Sequence, residues 1–247
     1  MGLLAVEQVV VQFGGVRALD EVDLDVPPAA ITGLIGPNGA GKTTLFNVIC
    51  GLQPTMAGHV RLGDELLDGR SPHHRARLGI ARTFQRLEVF GSMSVRDNVR
   101  VAAEVRRTWS RANRRAGQTD PLGRADQLLE RVGLVDVADD RVDSLPTGSA
   151  RLVEVARALA SEPRVLLLDE PSSGLDEAET DAFGDLLEGL AAAGLAILLV
   201  EHDVDLVMRV CAQIHVLDFG RVIAVGSPGE VQRNTEVQAA YLGTGMT

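Results

Sequence analysis

The chain has 247 residues, with 34 acidic against 24 basic side chains and a formal charge of −10 at pH 7. That length fits one large α/β domain with a subdomain and a full core, and the acidic balance argues against a nucleic-acid partner, whose phosphates favour basic faces. No apolar run reaches the roughly eighteen residues of a membrane span, no basic-then-apolar leader opens the chain, and Cys50 and Cys211 stand far apart without metal spacing, as in a reducing cytoplasm.

In chain order, residues Leu4 to Val11 and Leu19 to Val26 carry β-branched, apolar patterns and read as strands of a small antiparallel sheet. Phe13 lies between them on an expected turn, either as a packing residue or as a stacking platform for a base. Ala30 to Ile35 reads as a buried strand and Thr44 to Ile49 as a helix. Between them stands Gly36-Pro37-Asn38-Gly39-Ala40-Gly41-Lys42-Thr43-Thr44, which fits the G-x-x-x-x-G-K-[ST] phosphate-binding loop. Its glycines let backbone N–H groups turn inward around an anion. The helix that follows offers an N-terminus where unpaired amides and the dipole favour phosphate. Lys42 is the only lysine in the chain, every other basic residue being arginine. Asn38, Gly39, Ala40, Gly41, Lys42, Thr43 and Thr44 are therefore candidate nucleotide-binding residues. Lys42 is expected at the β- and γ-phosphates, and the Thr43 hydroxyl on Mg²⁺.

Further along, Gly58 to Leu62 and Glu65 to Leu67 read as a strand pair turned at Gly63-Asp64. Ser71-Pro72 opens a short helix, on which His73 and His74 are expected to be solvated. Residues Gly79 to Phe84 read as a strand ending at Gln85. From Val95 to about Ser161 the pattern is helical, with expected helices at 97–107, 124–132 and 150–160. An Arg-rich stretch at 106–115, containing Trp109, reads as a solvated linker, or alternatively as a basic strip near lipid headgroups. Arg164 to Asp169 is a continuous apolar run ending in Asp169-Glu170, the pattern of a parallel strand buried on both faces. Acids at the carboxyl end of such a strand stand where α/β sheets bind ligands. A helix over 177–192, a strand over 195–200 ending at Glu201-His202-Asp203, and a hairpin of 213–217 with 221–225 complete the chain.

This order of motifs resembles the ATP-binding cassette (ABC) family, and the resemblance covers essentially the whole chain. It implies an α/β P-loop NTPase cassette with a mixed central sheet, an antiparallel β-subdomain and an α-helical subdomain. Residues 1–94 and 162–247 would form the RecA-like core, and 95–161 the helical subdomain. Phe13 then falls at the adenine-stacking position, Gln85 at the Mg²⁺- and water-sensing glutamine, Asp169 at the acid that holds Mg²⁺ through water, Glu170 at the general base and His202 at the switch histidine. The family's signature loop, usually Leu-Ser-Gly-Gly-Gln, corresponds to Leu145-Pro146-Thr147-Gly148-Ser149 here. Pro146 removes the serine hydroxyl, whereas Thr147, Gly148, Ser149 and the helix dipole remain for the γ-phosphate of a second cassette.

The relaxed signature loop, the extended connection between the first helices and a tail running from Gly226-Ser227-Pro228-Gly229-Glu230-Val231 to Val237-Gln238-Ala239-Ala240-Tyr241-Leu242-Gly243 resemble branched-chain amino-acid importer ATPases. The resemblance implies ATP and Mg²⁺ as cofactors. It also implies a peripheral place on the cytoplasmic membrane face, permease subunits as partners, and pairing with itself or a paralogue. An external substrate-binding protein would act indirectly. Urea importers and the lipopolysaccharide-export ATPase are near relatives, and a cassette that binds ATP with little turnover is a further alternative.

Overall fold

A computed structural model describes residues 2–109 and 120–242. The elements are β1 (Leu4–Phe13), β2 (Val16–Val26), β3 (Ile31–Ile35), α1 (Lys42–Cys50), β4 (Ala57–Leu62), β5 (Glu65–Leu66), α2 (Pro72–Leu78), β6 (Ile80–Arg82), α3 (Val95–Trp109), α4 (Pro121–Arg131), α5 (Thr147–Ala160), β7 (Val165–Asp169), α6 (Glu177–Ala192), β8 (Ala196–Val200), α7 (Val204–Val210), β9 (Gln213–Asp218), β10 (Arg221–Gly226), α8 (Pro228–Arg233) and α9 (Thr235–Leu242).

Strands β2-β1-β4-β5 form an antiparallel sheet, and β10-β9-β3-β8-β7-β6 a second one that is parallel except for its β9–β10 edge. This is the mixed central sheet with a separate antiparallel sheet that the sequence implies. Every residue of β3, β7 and β8 is buried. Side chains alternate across a strand, so Leu166, Leu168, Ile197 and Leu199 join Val99, Leu128, Val153 and Leu187 of α3 to α6 on one face. On the other, Val165, Leu167, Ala196 and Leu198 meet Leu45, Phe46 and Ile49 of α1, which fill the space toward Leu4, Val6 and Val60 of the antiparallel sheet. Covering both faces is why these runs carry no polar alternation.

Adjacent parallel pairing of β3, β8 and β7 brings their carboxyl ends to one edge of the sheet. The phosphate loop leaves β3 there, Glu170 leaves β7, and Glu201-His202 leave β8. Three sequence segments far apart in the chain are thus delivered to one crevice, the place where open α/β sheets bind ligands.

Several expectations need correction. Phe13 is not on a turn but is the last residue of β1, paired with Val16 across a Gly14-Gly15 turn. The strand expected at 79–84 is confined to Ile80–Arg82. Helix α3 starts two residues early because the Ser94 hydroxyl accepts the Asp97 amide at 3.0 Å. Helix α4 starts at Pro121 because the Asp120 carboxylate caps the amides of Leu122 and Gly123. Helix α5 begins at Thr147, so the expected signature residues are its first turn rather than a loop before it. Helices α7, α8 and α9 were not anticipated. Of the Arg-rich stretch, residues 106–109 end α3, while 110–115 lie outside the described residues, as does Gly243. No helix of the described residues is long and apolar enough to cross a membrane.

Candidate functional site

The phosphate loop is shaped by close approach as much as by flexibility. A Cβ on Gly36 would stand 1.9 Å from the Leu217 carbonyl oxygen, and one on Gly41, at φ +111°, would stand 2.6 Å from the Ala18 carbonyl oxygen. Glycine is therefore required where the loop presses on β9 and β2. Asn38, Gly39 and Thr43 are exposed, Thr44 is half-buried, and Ala40 is buried with its carbonyl accepting the Gly220 amide at 2.9 Å. Lys42 folds back over its own loop, where Nζ donates to the carbonyls of Gly36 (2.6 Å) and Pro37 (3.1 Å). Burial lowers its pKa, partly opposed by the carboxylates of Glu170 and Asp169. Those two acids thus sense the lysine electrostatically. Phe13 is 51 % exposed at the hairpin end whose second strand carries Ala18 against Gly41.

The end of β7 turns sharply. Glu170 holds φ +51°, uncommon for a residue with a side chain, and its amide still donates to Val200 at 2.8 Å. That turn points its carboxylate at two groups at once. Gln85 Nε2 donates to Glu170 Oε1 at 2.8 Å, and His202 Nε2 lies 2.8 Å from the same oxygen. Two of the expected residues, Gln85 and His202, 85 and 32 positions from Glu170 along the chain, therefore converge on one oxygen atom of the third.

His202 is held from behind. Glu201, 6 % exposed, accepts the amides of Ser172 (2.7 Å) and His202 (3.1 Å), and burial raises its pKa against those bonds. Asp203 then caps α7 by accepting the Leu206 amide at 3.0 Å. Neither Glu201 nor Asp203 belongs to a motif that assigns it this positioning work.

Asp169 is 1 % exposed and does not meet Gln85 or Thr43 among the described contacts. Its carboxylate instead accepts Arg82 Nη2 at 2.8 Å, while Arg82 Nη1 donates to Asn47 Oδ1 of α1 at 2.6 Å. The Arg82 guanidinium is sandwiched over the rings of Phe46 and Phe84, 5.2 and 4.9 Å from their centroids. Burial raises the Asp169 pKa, and Arg82 opposes the rise. Arg82 was missed from sequence; an arginine in a strand bordering Val165–Asp169 was the available signal.

Mg²⁺ takes oxygen ligands and keeps several waters, leaning on substrate phosphates more than on a protein cage. The groups expected to hold it are oxygen donors of that kind: the Thr43 hydroxyl, the Gln85 amide oxygen and the Asp169 carboxylate. No cluster of three or more His, Cys, Asp or Glu able to hold a metal by itself exists among the described residues.

Thr147, Gly148 and Ser149 stand apart from this crevice. A Cβ on Gly148 would meet Leu175 Cδ2 at 2.5 Å and Glu179 at 3.1 Å, and one on Gly174 would meet Thr147 at 3.1 Å. The first turn of α5 thus packs on the loop after β7. Pro146 precedes it and no side chain caps it, so its leading amides keep their capacity for an outside acceptor. At the C-terminal end, Tyr241 of α9 lies beside the Gly36 backbone, and burial pushes its hydroxyl up to about 12. The tail therefore reaches the phosphate loop, a link the sequence motifs did not reveal.

The chain's likeness to known proteins agrees with this geometry. A family model described as ABC transporter matches residues 19–173, and one described as branched-chain amino acid ATP-binding cassette transporter matches residues 221–246. The high-affinity branched-chain amino acid transport ATP-binding protein LivG of Escherichia coli (strain K12) is 37% identical over 249 residues, covering 98% of both chains. The lipopolysaccharide export system ATP-binding protein LptB of the same organism is 34% identical, again over 98% of both. A solved ADP conformation of an ATP-binding cassette of an ABC transporter superposes with a TM-score of 0.87 at 28% identity, over 98% of this chain and 99% of that one.

Proposed function

The chain belongs to the ABC transporter family as one of its ATP-hydrolysing subunits, and from that premise we propose that it drives a membrane permease importing branched-chain or other hydrophobic amino acids. The observation that carries the catalytic half is the shared Glu170 oxygen, with Gln85 and His202 each 2.8 Å away. Phosphoryl transfer asks a protein chiefly for positioning and charge neutralisation. Lys42 and the amides of residues 38–44 bind the β- and γ-phosphates, and Phe13 stacks on the adenine. Glu170 accepts the proton of the attacking water, and His202 orients both that water and the carboxylate. Thr43, Gln85 and, through water, Asp169 would hold Mg²⁺, which when bound supplies charge neutralisation at the phosphates. Thr147, Gly148 and Ser149 would meet the γ-phosphate held by a second cassette, whether an identical chain or a paralogue.

In this reading residues 1–94 and 162–247 act as the core and 95–161 as a helical subdomain. The protein works at the cytoplasmic face of the membrane, held there by its permease, with an external binding protein selecting the substrate. The amino-acid assignment is supported by the match over residues 221–246 and by the likeness to LivG. The likeness to LptB supports a second reading, export of lipopolysaccharide. Deleting the gene in its own cells is expected to abolish high-affinity uptake of labelled leucine, isoleucine and valine, with recovery from wild type and none from Glu170→Gln. Intact amino-acid uptake in the deletion strain would rule out the substrate class while leaving the ATPase untouched.

A further inference from the structure

Helix α5 does more than carry the signature residues at its start. Along one side it reaches across to the segment 84–90 with three charged side chains. Arg151 is 8 % exposed; its Nη1 donates to the Phe84 carbonyl at 2.8 Å and its Nη2 donates to the Gln85 carbonyl. Glu154, 5 % exposed, accepts the Glu88 amide at 3.2 Å and lies 3.4 Å from Arg151 Nη1. Arg157 donates to the Glu88 carbonyl and lays its guanidinium over the Phe90 ring, 4.8 Å from the centroid.

Phe84, Gln85, Glu88 and Phe90 are themselves exposed, as a surface connection usually is. Side chains of α5 hold the backbone at Phe84, Gln85 and Glu88, while Asn98 of α3 brackets Phe90. A planar guanidinium can span two neighbouring carbonyls at fixed geometry, which a lysine ammonium cannot. Arg151 sits about one helical turn after Thr147 on the same helix. Gln85 is consequently bound on two sides. Its carbonyl is tied to α5 and its side-chain amide to Glu170.

We propose that Arg151, aided by Glu154 and Arg157, is a positioning residue that makes α5 and segment 84–90 one moving body. A displacement of Thr147–Ser149 on engagement by a second cassette's nucleotide is then carried to Gln85, whose side chain stands at Glu170. The inference rests on the ATPase reading above and adds the route by which the first turn of α5 communicates with Gln85. It assigns no contact between Arg151 and the nucleotide.

The test uses the full chain with Arg151→Met and Arg151→Lys, read in three ways. Amide exchange followed by mass spectrometry should show segment 84–90 exchanging faster in both variants, with β7 and the end of α5 unchanged. Turnover should fall about tenfold, as misplaced catalytic groups do, while the KM for ATP stays within about twofold. In a Gln85→Ala background the same Arg151→Met change should alter turnover by less than about twofold, since residues acting through one another are non-additive. Unchanged exchange in 84–90, or a full Arg151→Met loss that persists without Gln85, would overturn the proposal. Should Arg151→Met fail to fold, Arg157→Ala tests the same tie from a less buried position. A wild-type chain without turnover counts against the ATPase reading, and the exchange measurement then decides the tie by itself.

Discussion

Glu170→Gln is expected to lower Mg²⁺-ATP turnover of the purified chain by a factor of about 10²–10⁴, the range that a positioned general base supplies. The substitution keeps the side chain's size and removes only its capacity to accept a proton. Its surroundings tolerate the change. The carboxylate is a quarter exposed, and both neighbours, Gln85 Nε2 and His202 Nε2, can re-pair with an amide oxygen. In the proposed function ATP is held elsewhere, by the loop between β3 and α1, so affinity should hold while hydrolysis fails. The expected consequence is an ATP-bound pair of cassettes that persists on a sizing column. Phosphate release, nucleotide binding and sizing on one preparation check all three parts, and turnover within tenfold of wild type would remove Glu170 from its role.

The second large effect is expected in stability. Arg82→Met should destabilise the chain by about 3–5 kcal/mol, the cost of breaking a buried ion pair from one side, which for a domain of this size lowers the melting temperature by roughly 10 °C or more. Methionine replaces much of the apolar stem and keeps contact with Phe46 and Phe84. What it cannot replace is the charge facing Asp169, which is 1 % exposed and already raised in pKa by burial. Removing Arg82 raises that pKa further. A buried acid with a raised folded pKa binds protons more readily in the native state than in the unfolded one, so its stability contribution is lost as pH rises through the folded value. The deficit of Arg82→Met against wild type should accordingly be largest at neutral pH and shrink as pH falls toward the carboxylate range. Thermal melts of both proteins across that window check the sign; a deficit independent of pH would place the cost in packing alone.

These two residues also mark what the sequence made readable. The phosphate loop is contiguous, and its glycines are demanded by local geometry, so Gly36 to Thr44 could be read without any tertiary knowledge. The buried strand of β7 was equally plain, because four apolar positions followed by two acids have few other homes. The meeting of Gln85, Glu170 and His202 was different. Nothing local links residues so far apart, and only the order of motifs resembling a known family brought them together. Arg82 has no motif of its own, and its partner Asp169 is a neighbour across β6 and β7 rather than along the chain. Helices α7, α8 and α9 have seven, six and eight residues, too few for a 3.6-residue period to stand out. Their caps were nonetheless in view: Asp203 before α7, and the Ser227–Glu230 capping box with Pro228 at the first position of α8. The placement of Phe13 failed for a related reason. Strand β1 absorbs its register shifts by bulging and so runs on past Val11 to the hairpin end.

In the proposed function one ATP site is completed by a second cassette, whose nucleotide meets Thr147–Ser149 at the first turn of α5, packed on the loop after β7. The most direct measurement is the specific Mg²⁺-dependent ATPase activity of the wild-type chain as a function of its concentration. Activity per cassette is expected to climb with concentration and level off as pairs saturate. Activity per cassette that stays constant down to the lowest concentration, or the absence of Mg²⁺-dependent turnover at any concentration, would contradict it.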